Sequence, residues 1–340
     1  MTTLGRIDPL THHPDGTPID PTAPASSDVV REMHADLVRG QGRALLASAP
    51  LLVLAIGALA IGGAFPQLFG MLIWVGVLGV GAYVQETFEW FTLRRADPLT
   101  LLGKEAQEDS ERKAFEEDFR TRANARRPIA TLGLAIVVGL VTAIEFVRVA
   151  RVPVSSVLAS AALVKPAVRA GEWWRLLTAT YMHGSLVHLL ANLSALVILG
   201  ELVEAYEGRL RVPLVYLVAA VGGSICSSLM SATTSVGASG GILGLAGYLV
   251  AAAGRSGGGT PRILRRRMLR LLGSTAVMGL AGINFIDNAA HLGGLLGGAA
   301  IGFALPRGDA RRESIVAALG VAAIAILAAG AVFTVYRLLR

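Results

Sequence analysis

A serine hydroxyl is a weak nucleophile until a neighbouring base accepts its proton, so a serine and a histidine brought to one depth of one protein point to acyl-transfer chemistry. Ser239 lies in Gly237-Ala-Ser-Gly-Gly-Ile-Leu-Gly-Leu-Ala-Gly247, and His291 lies in Asp287-Asn-Ala-Ala-His-Leu-Gly-Gly-Leu-Leu-Gly-Gly298. The first segment reads as the start of a helix, where unpaired backbone N–H groups and the helix dipole can stabilise a developing oxyanion. Gly237, Gly240, Gly244 and Gly247 form a stripe of small residues, and Gly294 and Gly298 form a second stripe one and two turns below the imidazole. Such stripes pack backbone to backbone, which would bring His291 to hydrogen-bond range of Ser239. No carboxylate plainly orients the histidine, because Asp287 is assigned to the preceding loop, so the expected unit is a Ser–His dyad. His183, His188 and Asn192 are further polar residues in an apolar stretch. Taken singly each has a packing explanation: Asn192 as an interhelical hydrogen bond, either histidine as a satisfied core group. It is their convergence at one depth that argues for a site.

The elements that must position them are apolar. The chain has 340 residues, of which 53% are hydrophobic and 16% charged. A crossing of ~30 Å of hydrocarbon needs about 20 apolar residues, and such runs recur at nine places: 44–65, 68–85, 128–147, 180–203, 212–230, 237–254, 269–286, 289–305 and 315–336. Val212–Gly254 holds no Asp, Glu, Lys or Arg in 43 residues. At ~1.5 Å per residue that is too long for one crossing, and the polar stretch Ser231–Gly237 is where it turns back. With the N-terminus in the cytoplasm, 24 of the 31 basic residues fall inside and 7 outside, the bias expected of a membrane protein. The net charge of +7 therefore reads as topology and contact with the anionic lipid bilayer, and nucleic acid is not an expected partner. In this topology the spans 180–203, 237–254 and 289–305 all run inward, which sets Ser239, His291, His188 and Asn192 in the outer half of the membrane. His188 is expected about ten residues into its span, near 15 Å down the axis, with Asn192 at i+4 on the same face.

Five prolines between Pro9 and Pro24 and mixed charge mark residues 1–43 as a disordered cytoplasmic tail. Residues 44–90 read as a transmembrane hairpin, 91–127 as a charged cytoplasmic linker helix with i,i+4 pairs, 128–306 as a core and 307–340 as an additional transmembrane helix. The outer loop 148–179 carries Trp173, Trp174 and Arg175, residues suited to a headgroup interface. The first apolar run starts at Ala44, too late and too long for a signal peptide. His12, His13 and His34 have no clustered ligands beside them, so no metal site is expected. Cys226 is the only cysteine, which excludes an internal disulfide.

Five ordered segments resemble the rhomboid family of intramembrane serine proteases. Gly237-Ala-Ser-Gly240 resembles its GxSG nucleophile motif, and Ala290-His291-Leu-Gly-Gly294 with Gly298 resembles its AHxxGxxxG helix. Gly171-Glu-Trp-Trp-Arg175 is similar to the tryptophan–arginine motif of the first outer loop, here Trp174 and Arg175. His183-Gly-Ser-Leu-Val-His188-Leu-Leu-Ala-Asn192 resembles the second helix, with Gly200 and Glu204 at its inner end. The resemblance covers roughly 128–306.

The resemblance implies an all-α polytopic fold: a six-helix core around a water-accessible cleft, here with two extra N-terminal helices and one extra C-terminal helix. It implies a cofactor-free serine endopeptidase that cleaves transmembrane helices of membrane proteins near the outer face. Ser239 would be the nucleophile and His291 the base, with His188, Asn192 and the Ser239 N–H forming the oxyanion hole. Many members carry an aromatic residue four positions after the serine; this chain has Leu243. The alternative is a catalytically silent rhomboid-like protein that binds membrane helices, although such relatives usually lack the serine or the histidine. A transporter would call for midplane charges or broken inverted repeats, and neither is apparent. The composition points to a bacterial cytoplasmic membrane, with the site facing outward.

Overall fold

A computed structural model describes residues 27–62, 83, 87, 90, 91, 94, 95, 98–255, 260–281, 286–305, 307, 308 and 310–340. In chain order the helices are α1 (Ser27–Gly62), α2 (Pro98–Ala125), α3 (Ile129–Val149), α4 (Val154–Ala161), α5 (Lys165–Arg169), α6 (Arg175–Thr178), α7 (Leu186–Glu207), α8 (Arg211–Met230), α9 (Ser239–Ala253), α10 (Arg262–Ala281), α11 (Asn288–Ala304) and α12 (Ala310–Leu339). The protein is an all-α polytopic membrane protein, and the described β pairing is a single bridge between Leu163 and Ser235. Among the described residues α3, α7, α8 and α12 are long and apolar enough to cross a membrane. Helix α1 reaches back to Ser27, inside the segment 1–43 read as a tail. Residues 1–26, the second hairpin span apart from Tyr83, and 282–285 at the end of the span 269–286 lie outside the described residues.

One boundary moves in a way that matters. The span expected to begin near Thr180 becomes helical only at Leu186, because Ser185 takes the extended conformation of an N-cap and its hydroxyl accepts from the His188 N–H at 3.2 Å. His183 therefore precedes the helix, and His188 sits in the first turn of α7 instead of ten residues down it. Asn192 remains one turn deeper on the same helix.

Helix α9 is apolar on all sides and buried along almost its whole length, as a central helix must be. Its 15 residues extend only ~22 Å at 1.5 Å per residue, short of the ~30 Å of a bilayer core, so it cannot reach both faces. Glycine lets its neighbours come close. A Cβ on Gly294 would lie 2.0 Å from the Gly240 carbonyl oxygen, and one on Gly298 would lie 1.9 Å from that of Gly244. The two stripes thus face each other, and α8 closes the third side, where a Cβ on Gly244 would lie 2.0 Å from that of Ala219.

The two ends are tied by polar side chains. Pro128 cannot cap α3 with a side chain, and Glu204 of α7 does so instead, accepting from the Thr131 N–H and hydroxyl at 2.6 Å each. Gly200 leaves the room, since a Cβ there would meet Thr131 Oγ1 at 2.5 Å. Helix α2 stacks Phe115 and Phe119 on Tyr206 at this end. At the other end Arg175, buried, donates to the Ala162 and Ala159 carbonyls at 2.8 and 2.7 Å and to Glu172 at 2.7 Å. Its guanidinium also lies 4.4 Å from the Trp174 ring centroid. Trp174 meets Phe333 of α12 edge to face, and Tyr181 donates to the Leu327 carbonyl at 2.7 Å. The C-terminal helix is therefore joined to the segment between α5 and α7.

Candidate active site

Ser239 is the first residue of α9, and the chain turns into it at Gly237, whose φ of +128° is a region that side chains avoid. A Cβ at Gly237 would also come 2.8 Å from His188 Cε1 and 3.6 Å from Asn192 Nδ2, so the glycine is required by space as well as by conformation. Its N–H donates to the Ala179 carbonyl at 3.0 Å. The next N–H, of Ala238, donates to His183 Nε2 at 3.4 Å. His183 is fixed in turn by Thr142 Oγ1 at 3.0 Å from its Nδ1 and by its own N–H donating to Glu145 Oε2 at 2.7 Å. The approach to the serine is thus anchored to α3.

His291 lies one turn into α11. Asp287 caps that helix, its Oδ1 accepting from the Ala290 N–H at 3.0 Å, and the His291 N–H donates to the Asp287 carbonyl at 3.1 Å. The imidazole Nε2 is 2.8 Å from Ser239 Oγ, the distance at which a neutral histidine can accept the hydroxyl proton. His188 and Asn192 stand on the other side of Gly237. Asn192 is buried, and its Nδ2 has no hydrogen-bond partner among the described residues. A buried donor without an acceptor costs about 1–3 kcal/mol, and this one lies beside the serine turn. Ser239, His291, His188 and Leu243 line a cavity of about 1100 Å³, together with the loop Thr233–Gly237 and the α10 residues Leu272, Thr275 and Leu280. Leu243 contributes an aliphatic wall to it.

Asp287, read from the sequence only as a loop residue, lines this cavity together with Ser235, and Lys165 and Ser227 stand behind them. The second carboxylate oxygen of Asp287 accepts from the Ser227 and Ser235 hydroxyls and is 3.6 Å from Lys165 Nζ. Lys165 is itself fully buried and donates to the Thr233 carbonyl and to Ser235 Oγ. Burial alone would raise the Asp287 carboxyl, but the two hydroxyls, the Ala290 N–H and the Lys165 ammonium outweigh it and hold it below the ordinary carboxylate range. Burial pulls the Lys165 ammonium down against the attraction of Asp287. Two signals for these residues were available: Asp287 stands immediately before a helix as an N-cap does, and Lys165 and Glu145 are lone charges in apolar runs.

The comparisons with known proteins converge on the same region. The family model described as Rhomboid domain matches residues 170–308. The chain is similar to Rhomboid protease GluP of Bacillus subtilis (strain 168), 37% identical over 166 residues that cover 46% of this chain and 31% of the relative. It is similar to RHOMBOID-like protein 6, mitochondrial, of Arabidopsis thaliana, 35% identical over 146 residues that cover 42% of this chain and 46% of the relative. Rhomboid protease AarA of Providencia stuartii is 30% identical over 158 residues, covering 39% of this chain and 56% of the relative. The matches thus span from under a third to just over half the length of these relatives.

Proposed function

We propose that the chain, which belongs to the rhomboid family, is an intramembrane serine endopeptidase that cleaves transmembrane helices of membrane proteins near the outer face. The observation that carries this reading is the 2.8 Å approach of His291 Nε2 to Ser239 Oγ at the floor of a cavity with a partly polar lining. Ser239 Oγ attacks the carbonyl carbon of the scissile bond while His291 takes the hydroxyl proton. The carbonyl oxygen becomes an oxyanion, received by Asn192 Nδ2, the His188 side chain and the N–H groups at the start of α9. The C–N bond then breaks, and His291 returns the proton to the leaving amine. Water, activated by the same histidine, releases the acyl group.

A regular helix shields its peptide bonds, so the substrate span must unwind locally to reach Ser239. Glycine is about 1 kcal/mol and proline about 3 kcal/mol less helical than alanine, which favours spans with such residues in their outer half. The 24-to-7 bias of basic residues and the composition support a bacterial cytoplasmic membrane with the N-terminus inside and the cavity outward. The test is cleavage of a single-span substrate in liposomes. Wild type should cut it, Ser239→Ala and His291→Ala should not, and the double variant should be no worse than either single one. Substantial cleavage by purified Ser239→Ala would overturn the assignment, whereas binding without any cleavage by wild type would favour the silent helix-binding alternative.

A further inference from the structure

Three side chains outside the dyad converge on the carboxylate of a fourth, Asp287, and the four come from the elements that the dyad depends on. Asp287 caps the helix of His291, Ser227 lies near the outer end of α8, Ser235 lies in the loop leading into Ser239, and Lys165 comes from the outer loop. Ser235 is held by its backbone as well: its N–H donates to the Leu163 carbonyl at 3.3 Å, and its carbonyl accepts from the Leu163 N–H at 3.0 Å. Lys165 is two residues beyond that bridge and is buried, its side chain 1% exposed. A lysine is rarely buried so fully unless it is paired, and here its partner is the residue one helical turn before the imidazole.

We propose that Lys165 and Asp287 are positioning residues that lock the serine loop to the histidine helix and so set the Ser239–His291 distance. The proposal rests on the dyad reading above. Asp287 holds two different things with its two oxygens. Oδ1 satisfies the Ala290 N–H and defines where α11 begins, and Oδ2 gathers Ser235, Ser227 and Lys165. Lys165 extends the joint by one more residue, to the Thr233 carbonyl. The loop 233–237 therefore cannot shift relative to the first turn of α11 without breaking a charge-assisted contact to the buried Lys165 ammonium, and such contacts are strong. Capping alone does not need this arrangement, since an asparagine caps as well as an aspartate. What asparagine cannot supply is the negative charge that holds the ammonium.

Three variants separate this role from simple stability: Asp287→Asn, which keeps a cap acceptor; Lys165→Met; and the two combined. Two quantities are read below the melting temperature of all four proteins. One is the rate at which a fluorophosphonate labels Ser239, and the other is kcat and KM for a single-span substrate with glycine in its outer half. Each single variant should label and turn over on the order of tenfold to a hundredfold more slowly, the scale of a small misplacement of reacting groups, with KM little changed. Because both residues act through one joint, the double variant should be no worse than the slower single one. Labelling of either single variant at the wild-type rate overturns the proposal, and so do losses that multiply in the double variant. Should Lys165→Met fail to fold, Asp287→Asn and the double variant decide by the same criteria. Wild type that labels but cuts no span would instead count against the protease reading alone, and wild type that does not label would overturn both.

Discussion

Gly294→Ala isolates the contact that sets the dyad's geometry from below. The added Cβ would lie 2.0 Å from the Gly240 carbonyl oxygen and 2.7 Å from its carbon, whereas ordinary contact begins near 3.4 Å. The two helices must then separate locally by about 1.4 Å, the difference between those distances. His291 is one turn away on the same helix. If about 1 Å of that displacement reaches the imidazole, the 2.8 Å approach to Ser239 becomes about 3.8 Å, beyond the ~3.2 Å range of a useful hydrogen bond. A misplacement of that size costs on the order of a hundredfold in rate, or ~2.7 kcal/mol. Overpacking by one methyl costs the fold typically ~1–3 kcal/mol, so the protein should still fold. Gly297→Ala is the control, because its Cβ would lie 3.4 Å from Ala219 Cα, an ordinary contact on the same helix. Turnover of a single-span substrate in liposomes, beside thermal melting of each protein, reads the two effects separately. Wild-type turnover in Gly294→Ala, or an equal loss in Gly297→Ala, would refute the argument that helix separation controls the dyad.

Asn192→Leu removes a buried donor that has no described acceptor in the resting protein. It should therefore leave the melting temperature unchanged or higher while lowering kcat by about 10²–10³, and a large loss of stability with normal turnover would contradict the oxyanion role. Glu204→Leu should act in the opposite way, because it strips the Thr131 N–H and hydroxyl of their acceptor at about 1–3 kcal/mol for each buried group. Glu204 lies about 18 Å along α7 from Asn192, so turnover per folded molecule should hold while the melting temperature falls. For the orientation, a cysteine at Thr234 in a Cys226→Ala background should react with an impermeant thiol reagent outside intact cells, and one at exposed Ser314 should not. The reverse pattern would invert the topology.

The apolar runs for α3 and α8 were legible in the sequence to within two residues, and those for α7 and α12 to within six, because hydropathy over about 20 residues is a local quantity. The meeting of the Ser239 and His291 side chains was legible for a different reason: each stands at the head of a glycine stripe, and a stripe declares which face must touch another backbone. Helix starts were less legible. The onset of α7 at Leu186 depends on Ser185 acting as a cap, while the apolar composition from Thr180 onward gives no break that a hydropathy window would register.

What escaped the sequence reading was the set of polar contacts that join distant segments. Lys165 and Asp287 are separated by 122 positions, and Glu204 caps a helix that begins 75 residues before it. No local pattern predicts such pairs, yet the physics leaves a trace of each. A charge inside or beside an apolar run is costly unless it is paired, so Glu145, Lys165 and Glu204 each announce a partner without naming it. The three partners have different consequences. Glu204 caps α3 at Thr131, where the rigidity it adds is far from the dyad. Glu145 reaches the serine turn through His183, and Lys165 reaches the histidine helix through Asp287. The glycine contacts fix how closely α9 and α11 approach, but contact along a smooth stripe leaves sliding along the helix axes weakly resisted. The polar joints above it resist that sliding, because a hydrogen bond tolerates far less displacement than apolar contact does. The 2.8 Å approach of His291 to Ser239 therefore depends on both layers, with glycine below setting the separation and the Asp287 joint above setting the register.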